Sequence, residues 1–258
     1  MSQSPKTNLG KRQSQELTDD EVVFVSFKKR ATQATTQATT QETTQETAQE
    51  TQGTFREYQP GEQYLKFYSG AAAPYHNLSN FAEISNGILV HGNQYPSAEH
   101  AFQAQRFPAE MADRLQVSGE LGNADTGFRA IYSRRTDNPE KKQQYWMGNK
   151  KNIGILAKMA ANQWKPHQHP GFESSYELWE PILLAKFRQE PFKGLLLGTG
   201  NTYLVEFSRS AKATVQEKGE QAVYWAALVD QDEQRMYGQN IMGKYLMKIR
   251  DILQAENA

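Results

Sequence analysis

The segment Tyr95-Pro96-Ser97-Ala98-Glu99-His100-Ala101-Phe102-Gln103-Ala104-Gln105-Arg106-Phe107 concentrates side chains that can do chemistry. If Ser97 caps a helix that runs to about Phe107, where Pro108 stops it, Glu99, Gln103 and Arg106 stand at i, i+4 and i+7 and share one face. That face lines up a carboxylate, an amide and a guanidinium, while Phe102 and the alanines fill the other side. In the first helical turn the helix dipole favours ionised Glu99, which suits a base or a stabiliser of positive charge better than a proton donor. The same spacing also describes an ordinary solvated helix face, so spacing alone leaves both readings open. His100 has no second metal ligand at i+4, and His167-Gln168-His169, flanked by Pro166 and Pro170, reads as a loop. No nucleophile elbow, P-loop or dinucleotide fingerprint is present; Gly194 to Gly200 reads as a helix end followed by a turn.

The elements around this helix follow from local pattern. Tyr64–Tyr68, Gly87–Val90, Tyr203–Phe207 and Val223–Val229 predict short strands, and Asn77–Phe81 a turn-rich loop. A second helix is expected over Ile182–Arg188, with Pro181 at its first position, and a last one over Ile241 to about Leu253. In the last helix Ile241, Tyr245, Ile249 and Ile252 fall at helical spacing and are read as core. Residues 109–164 are polar and only weakly periodic. The expected fold is α+β and mainly helical, with helices packed around a small sheet.

Composition bounds the chemistry. The chain has 258 residues, 38% of them hydrophobic, 29 basic against 29 acidic residues, and no cysteine. A disulfide framework, a thiolate zinc site and a cysteine nucleophile are excluded, and no apolar run is long enough to cross a bilayer. The start has no apolar signal-like stretch, so an intracellular, cytoplasmic location is expected. Residues 1–60 hold 7 basic and 8 acidic residues, leaving 22 and 21 for the rest; without a basic excess, nucleic acid held mainly through its phosphates is disfavoured as a general partner.

A boundary is expected near residue 60. Residues 31–53 form a four-residue TQ(A/E)T repeat with no aromatic or large aliphatic side chain. Such a stretch cannot bury enough apolar area to offset ordering its backbone, which costs about 1–2 kcal/mol per residue. Residues 1–60 are therefore read as a disordered, low-complexity segment and residues 61–258 as one domain. Val22–Phe27 is an isolated apolar run that suits either a docking motif or an added edge strand.

Taken together, several blocks resemble the NADAR superfamily of YbiA-like N-glycosidases. They are Phe67-Tyr68, Leu78-Ser79-Asn80-Phe81, the Ser97–Phe107 helix, Leu184–Gln189, Leu195–Gly200, Leu204-Val205-Glu206, Tyr224-Trp225 and Gly238–Arg250, in the family's order over residues 64–253. The resemblance implies a compact, mainly helical domain that hydrolyses N-glycosidic bonds in ribosylated metabolites, with no metal or organic cofactor. Bacterial members act on phosphorylated ribosylamine intermediates of riboflavin synthesis; others are linked to NAD and ADP-ribose, including ADP-ribose on guanine. Matching by motif puts the site carboxylate on Glu99, the basic residue on Arg106 and the loop asparagine on Asn80, with Gln103, Lys186, Glu206, Trp225 and Asn240 as further substrate-binding positions. On this reading Glu99 serves the cationic sugar, Trp225 offers a stacking surface for the base, Asn80 and Asn240 make polar contacts, and Arg106 grips a phosphate. Plain structural alternatives stand beside these: Lys186 snorkelling from a packed helix, Glu206 paired with a basic neighbour, Trp225 in the core, and Asn240 as N-cap of the last helix.

One departure is visible. The family's D-x-x-W-G pattern is replaced by Glu220-Gln221-Ala222-Val223-Tyr224-Trp225-Ala226, after an insertion-like stretch from Ser208 to Gly219; Glu220 and Asp230 are the acids that could substitute. The readings carried forward are an N-glycosidase, a binding module of the same fold with weakened turnover, and an interaction protein that uses its domain as a platform.

Overall fold

The computed structural model describes residues 55–132, 140, 152–170, 172 and 177–257. In chain order its elements are β1 (Tyr64–Phe67), β2 (Ile88–Val90), β3 (Asn93–Tyr95), α1 (Ala98–Ala104), α2 (Ala109–Ala112), α3 (Ala124–Tyr132), α4 (Gly154–Trp164), α5 (Trp179–Phe187), α6 (Phe192–Leu197), β4 (Tyr203–Glu206), α7 (Ala211–Lys218), β5 (Leu228–Asp230), β6 (Arg235–Tyr237) and α8 (Ile241–Glu256). The expected α+β, mainly helical architecture is what is seen: among the described residues the strands form three two-stranded pairs.

β1 and β4 pair in parallel, Phe67 opposite Glu206, so the chain between them must cross over, and it does so through α1 to α6. β2 and β3 form a hairpin closed by His91-Gly92, both at positive φ (49° and 81°), as a two-residue turn matching strand twist requires. β5 and β6 form a second hairpin. The core joins α1, α4, α5 and α8 around β1 and β4; Ala98, Ala101 and Ala104 of α1 meet Leu156, Ala157 and Ala160 of α4, all buried. α8 is buried almost all round over its first ten residues, so Met242, Leu246 and Met247 join Tyr245 and Ile249 in the core, while Ile241 and Ile252 are only half-buried.

Several local expectations are corrected. The helix begun at Ser97 ends at Ala104, three residues before Phe107. Pro181 is the third residue of α5, not the first, and is tolerated there because a first-turn N–H has no intrahelical acceptor. Of the expected strand Val223–Val229, only Leu228 and Val229 are strand, within β5, preceded by a bridge from Ala227 to Phe207; residues 223–226 instead fold over the start of α8. The insertion-like stretch contains α7, whose Ala211 and Val215 pack on Val223 and Tyr237 in a small separate core.

Packing begins ahead of residue 61. Phe55 meets Tyr245 edge-on at 5.2 Å, Tyr58 meets Tyr203 at 5.4 Å, and Glu57 pairs with Lys244 at 2.6 Å. The TQ(A/E)T repeat and Val22–Phe27 lie outside the described residues. Among the described residues no helix is long and apolar enough to cross a membrane.

Candidate active site

Ser97 caps α1 as expected: its backbone is extended and its Oγ accepts from the His100 N–H at 3.2 Å. The cap also fixes His100. Its Nδ1 lies 2.8 Å from Ser97 Oγ and its Nε2 3.0 Å from the Leu121 carbonyl, and the ring is fully buried. Burial pulls its pKa down to about 4, so the imidazole is neutral. With both nitrogens engaged by protein, His100 is a structural pin and not a metal ligand.

The face predicted for α1 is a connected chain of side chains. Gln103 Nε2 donates to Glu99 Oε1 at 2.7 Å, Arg106 Nη1 donates to Gln103 Oε1 at 2.8 Å, and Arg106 Nη2 donates to Gln168 Oε1 at 2.5 Å. Glu99 is 7% exposed. Burial raises its pKa against the opposing pull of Lys158, the Gln103 hydrogen bond and Arg106, so burial outweighs the helix-dipole preference for the ionised form. Arg106 is braced by two glutamines and by the Phe172 ring 5.4 Å away.

β4 delivers a second carboxylate to the same place. Glu206 is half-buried, and its pKa is pushed up to about 7, by burial first and by the like charge of Glu99, while Lys158 and Lys186 oppose. Lys186 of α5 does not snorkel: it is fully buried, its Nζ donates to the Ser79 carbonyl at 2.7 Å, and burial brings its pKa down to about 7, with Glu206 opposing. Glu99, Glu206, Lys186 and Lys158 thus form one electrostatic cluster.

Asn240 does not cap α8 with its side chain. It sits left-handed (φ 53°), and its side chain makes no cap hydrogen bond. The first two N–H groups of α8 donate instead to the Tyr224 and Trp225 carbonyls, at 3.2 and 3.1 Å. Asn240 Nδ2 donates to the Leu204 carbonyl (2.8 Å) and its Oδ1 accepts from the Glu206 N–H (3.0 Å), so the fully buried amide locks β4 to α8 and sets the backbone of Glu206. A Cβ on Gly243 would come within 2.2 Å of the Leu204 carbonyl, so this seat requires glycine there.

Asn80 and Trp225 are the remaining predicted positions. Asn80 accepts the Glu99 N–H on its carbonyl (3.0 Å), while its buried side-chain Oδ1 has no hydrogen-bond partner among the described residues. Trp225 is half-buried, edge-on to Tyr224 at 5.0 Å and to Trp179 at 5.9 Å, with Phe102 stacked on Trp179 at 4.1 Å. It is therefore neither wholly core nor free-standing. A surface cavity of about 400 Å³ lined by Tyr64, Lys66, Phe207 and residues 228–232 touches none of the predicted site residues.

Sequence reasoning missed Lys158, Gly154 and Trp179. Lys158 follows Gly154 by one helical turn in a stretch whose periodicity gives little signal. A Cβ on Gly154 would fall 2.5 Å from Phe81 Cα and 3.1 Å from Glu99 Cβ, so glycine is what lets α4 press onto the Asn80 loop and Glu99. The acids weighed as substitutes are occupied elsewhere. Glu220 pairs with Arg235 (3.0 Å) and accepts the Gly238 N–H (2.8 Å), and Asp230 pairs with Lys212 (2.6 Å).

The NADAR domain model matches residues 66–254. "N-glycosidase YbiA" of Shigella flexneri serotype 5b (strain 8401) is 28% identical over 193 residues, covering 74% of this chain and 89% of that one, and the Shigella flexneri protein of the same name gives the same figures. The NMR structure of the E. coli protein YbiA aligns over 76% of this chain and 88% of that one, at 24% identity and a TM-score of 0.47. The match over most of the chain settles the family: this protein belongs to the NADAR domain family.

Proposed function

We propose that the protein is an N-glycosidase that cleaves the C1′–N bond of a ribosylated, phosphorylated, nucleotide-like metabolite, of riboflavin-precursor or ADP-ribosyl type, an ADP-ribosylated nucleic-acid base included. The observation that carries this reading is the pair Glu99 and Glu206, two carboxyl groups in one electrostatic cluster, each with its pKa raised by burial. Like charges disfavour ionising both groups at once, and Glu206, at about 7, can hold a proton near neutral pH.

The division of labour follows from their surroundings. Glu206, at about 7, is suited to protonate the departing nitrogen, which receives the electron pair of the breaking bond. Glu99 has the Gln103 N–H, Lys158 and Arg106 to favour its ionised form, and stabilises the oxocarbenium-like sugar and takes the proton of the water that adds to C1′. Gln103 orients Glu99, and Arg106 orients Gln103. The unpaired Asn80 Oδ1 is a ready acceptor for a sugar hydroxyl or a base N–H, and the half-buried Trp225 is the stacking surface for the base. Asn240 acts through Glu206 and not on substrate.

A second reading has its own support in Ala226 and in the engagement of Glu220 and Asp230 with their own cations: a nucleotide-binding module with weakened turnover. The two separate in one experiment. The full chain and Glu99→Gln are incubated with ribosylamine phosphates, NAD, ADP-ribose and ADP-ribosylated guanine, and mass spectrometry follows both products. Base released by wild type and lost in Glu99→Gln is expected; ligand bound by both with no release favours the binding module.

A further inference from the structure

Three cations approach the Glu99/Glu206 pair, and they differ in what their N–H groups already do. Arg106 spends Nη1 and Nη2 on Gln103 and Gln168. Lys186 is fully buried and donates to the Ser79 carbonyl at 2.7 Å. Lys158 stands apart: it is half-buried, its ammonium lies 5.3 Å from the centre of the Phe81 ring, and among the described residues no hydrogen bond or ion pair engages it.

Its position is set by backbone, not by a flexible surface. Gly154 donates its N–H to the Phe81 carbonyl at 3.1 Å and packs on Phe81 and Glu99, which pins the first turn of α4 to the site. Lys158 lies four residues on, one turn along the same face. An aromatic face holds an ammonium without consuming its donors, so all three N–H bonds remain for an oxyanion.

We infer that Lys158, and not Arg106, grips the phosphate of the ribosyl ligand, and that Arg106 is a positioning residue that holds Gln103 and thereby Glu99. This rests on the N-glycosidase reading for the identity of the ligand as a ribosyl phosphate. A carboxylate at the reacting carbon repels an anionic substrate, and a half-buried ammonium with free donors offsets that repulsion. A structural role for Lys158 would affect phosphorylated and unphosphorylated ligands alike. A phosphate grip affects only the first.

The test measures binding, not turnover, so that it stands or falls separately from catalysis. Calorimetry compares guanosine 5′-monophosphate with guanosine on the full-length wild type, Lys158→Met, Lys158→Arg and Arg106→Gln, with thermal melting as the check on folding. Lys158→Met is expected to weaken the monophosphate about tenfold to a hundredfold and to leave guanosine unchanged, with Lys158→Arg within a few-fold of wild type. Arg106→Gln is expected to leave the monophosphate-to-guanosine ratio near wild type. Equal losses on both ligands, no loss at all, a ratio that collapses in Arg106→Gln, or a wild type that does not prefer the monophosphate would each overturn the assignment. If Lys158→Met does not fold, the same ratio is read on Lys158→Gln. Loss of the ratio at Lys158 in a protein that releases no base from any substrate would leave the grip standing and remove the glycosidase reading.

Discussion

Two charged clusters in this molecule are built in opposite ways. Around Glu99 and Glu206 the ionisable groups are buried, and burial moves each away from its charged form: both carboxyls up, Lys186 down to about 7. At the β5–β6 hairpin, Lys212 bridges Asp230 and Glu233 at 2.6 and 2.5 Å in water, and every partner is held toward its charged form, the acids lowered and the lysine raised. The first arrangement lowers stability and gains reactivity, because a group with a pKa near 7 can give or take a proton under physiological conditions. The second is an ordinary surface network, screened by solvent, with little influence on anything distant. Abundance of charge does not mark a site; displaced ionisation does.

The sharpest way to break this contrast is Glu99→Gln, which keeps size and the Gln103 neighbour but removes the charge. Base release is expected to fall by about 10²- to 10⁴-fold while the melting temperature holds or rises. A drop within threefold would put the reactive carboxylate elsewhere.

Next in size is the pH dependence of stability in Glu206→Gln. A carboxyl whose folded pKa is about 7 keeps its proton in the folded state while the unfolded chain has lost it above the usual carboxylate range. Between those two points the folded state binds more protons, so its stability falls as pH rises, by roughly 3 kcal/mol in all. Denaturant unfolding should therefore find Glu206→Gln close to wild type at pH 4 and more stable at pH 8. His100 works in the other sense below neutrality, since its folded pKa of about 4 makes the wild type gain stability as pH rises toward 6.5, and this gain should persist in Glu206→Gln.

Gly154→Ala tests the seat of α4. With Phe81 Cα only 2.5 Å from the new Cβ, backbone must shift, and a loss of about 1–3 kcal/mol is expected together with weaker base release, as Glu99 and the Asn80 loop move. The smallest effect belongs to the other cluster: Lys212→Met should leave turnover unchanged and the melting temperature close to wild type.

How much of this could be read from the sequence differs by link. Glu99, Gln103 and Arg106 share a face because helical period fixes it, and their chain of hydrogen bonds follows directly. Glu206 and Lys186 could be named from motif alone, but not placed beside Glu99, since that depends on parallel pairing of β1 with β4 across a long helical crossover. An asparagine ahead of a helix suggests a cap, whereas here the Tyr224 and Trp225 carbonyls satisfy the helix end and the Asn240 side chain binds β4. Lys158 left no mark in the sequence: its placement follows from the seat of Gly154, and a lone glycine does not announce which backbone it must approach. Pro181 and the 223–226 turn were misplaced for the same reason, as local preference fixes what is tolerated and packing decides where it falls.

The measurement that bears most directly on the account is the pH profile of base release, from pH 5 to 9, for wild type beside Glu206→Gln on the best substrate found. The account predicts a wild-type kcat/KM that declines above about pH 7, as Glu206 loses the proton it donates, and a variant whose residual rate lacks that decline. A wild-type rate flat through pH 7 and matched by Glu206→Gln would contradict the shared-carboxyl mechanism.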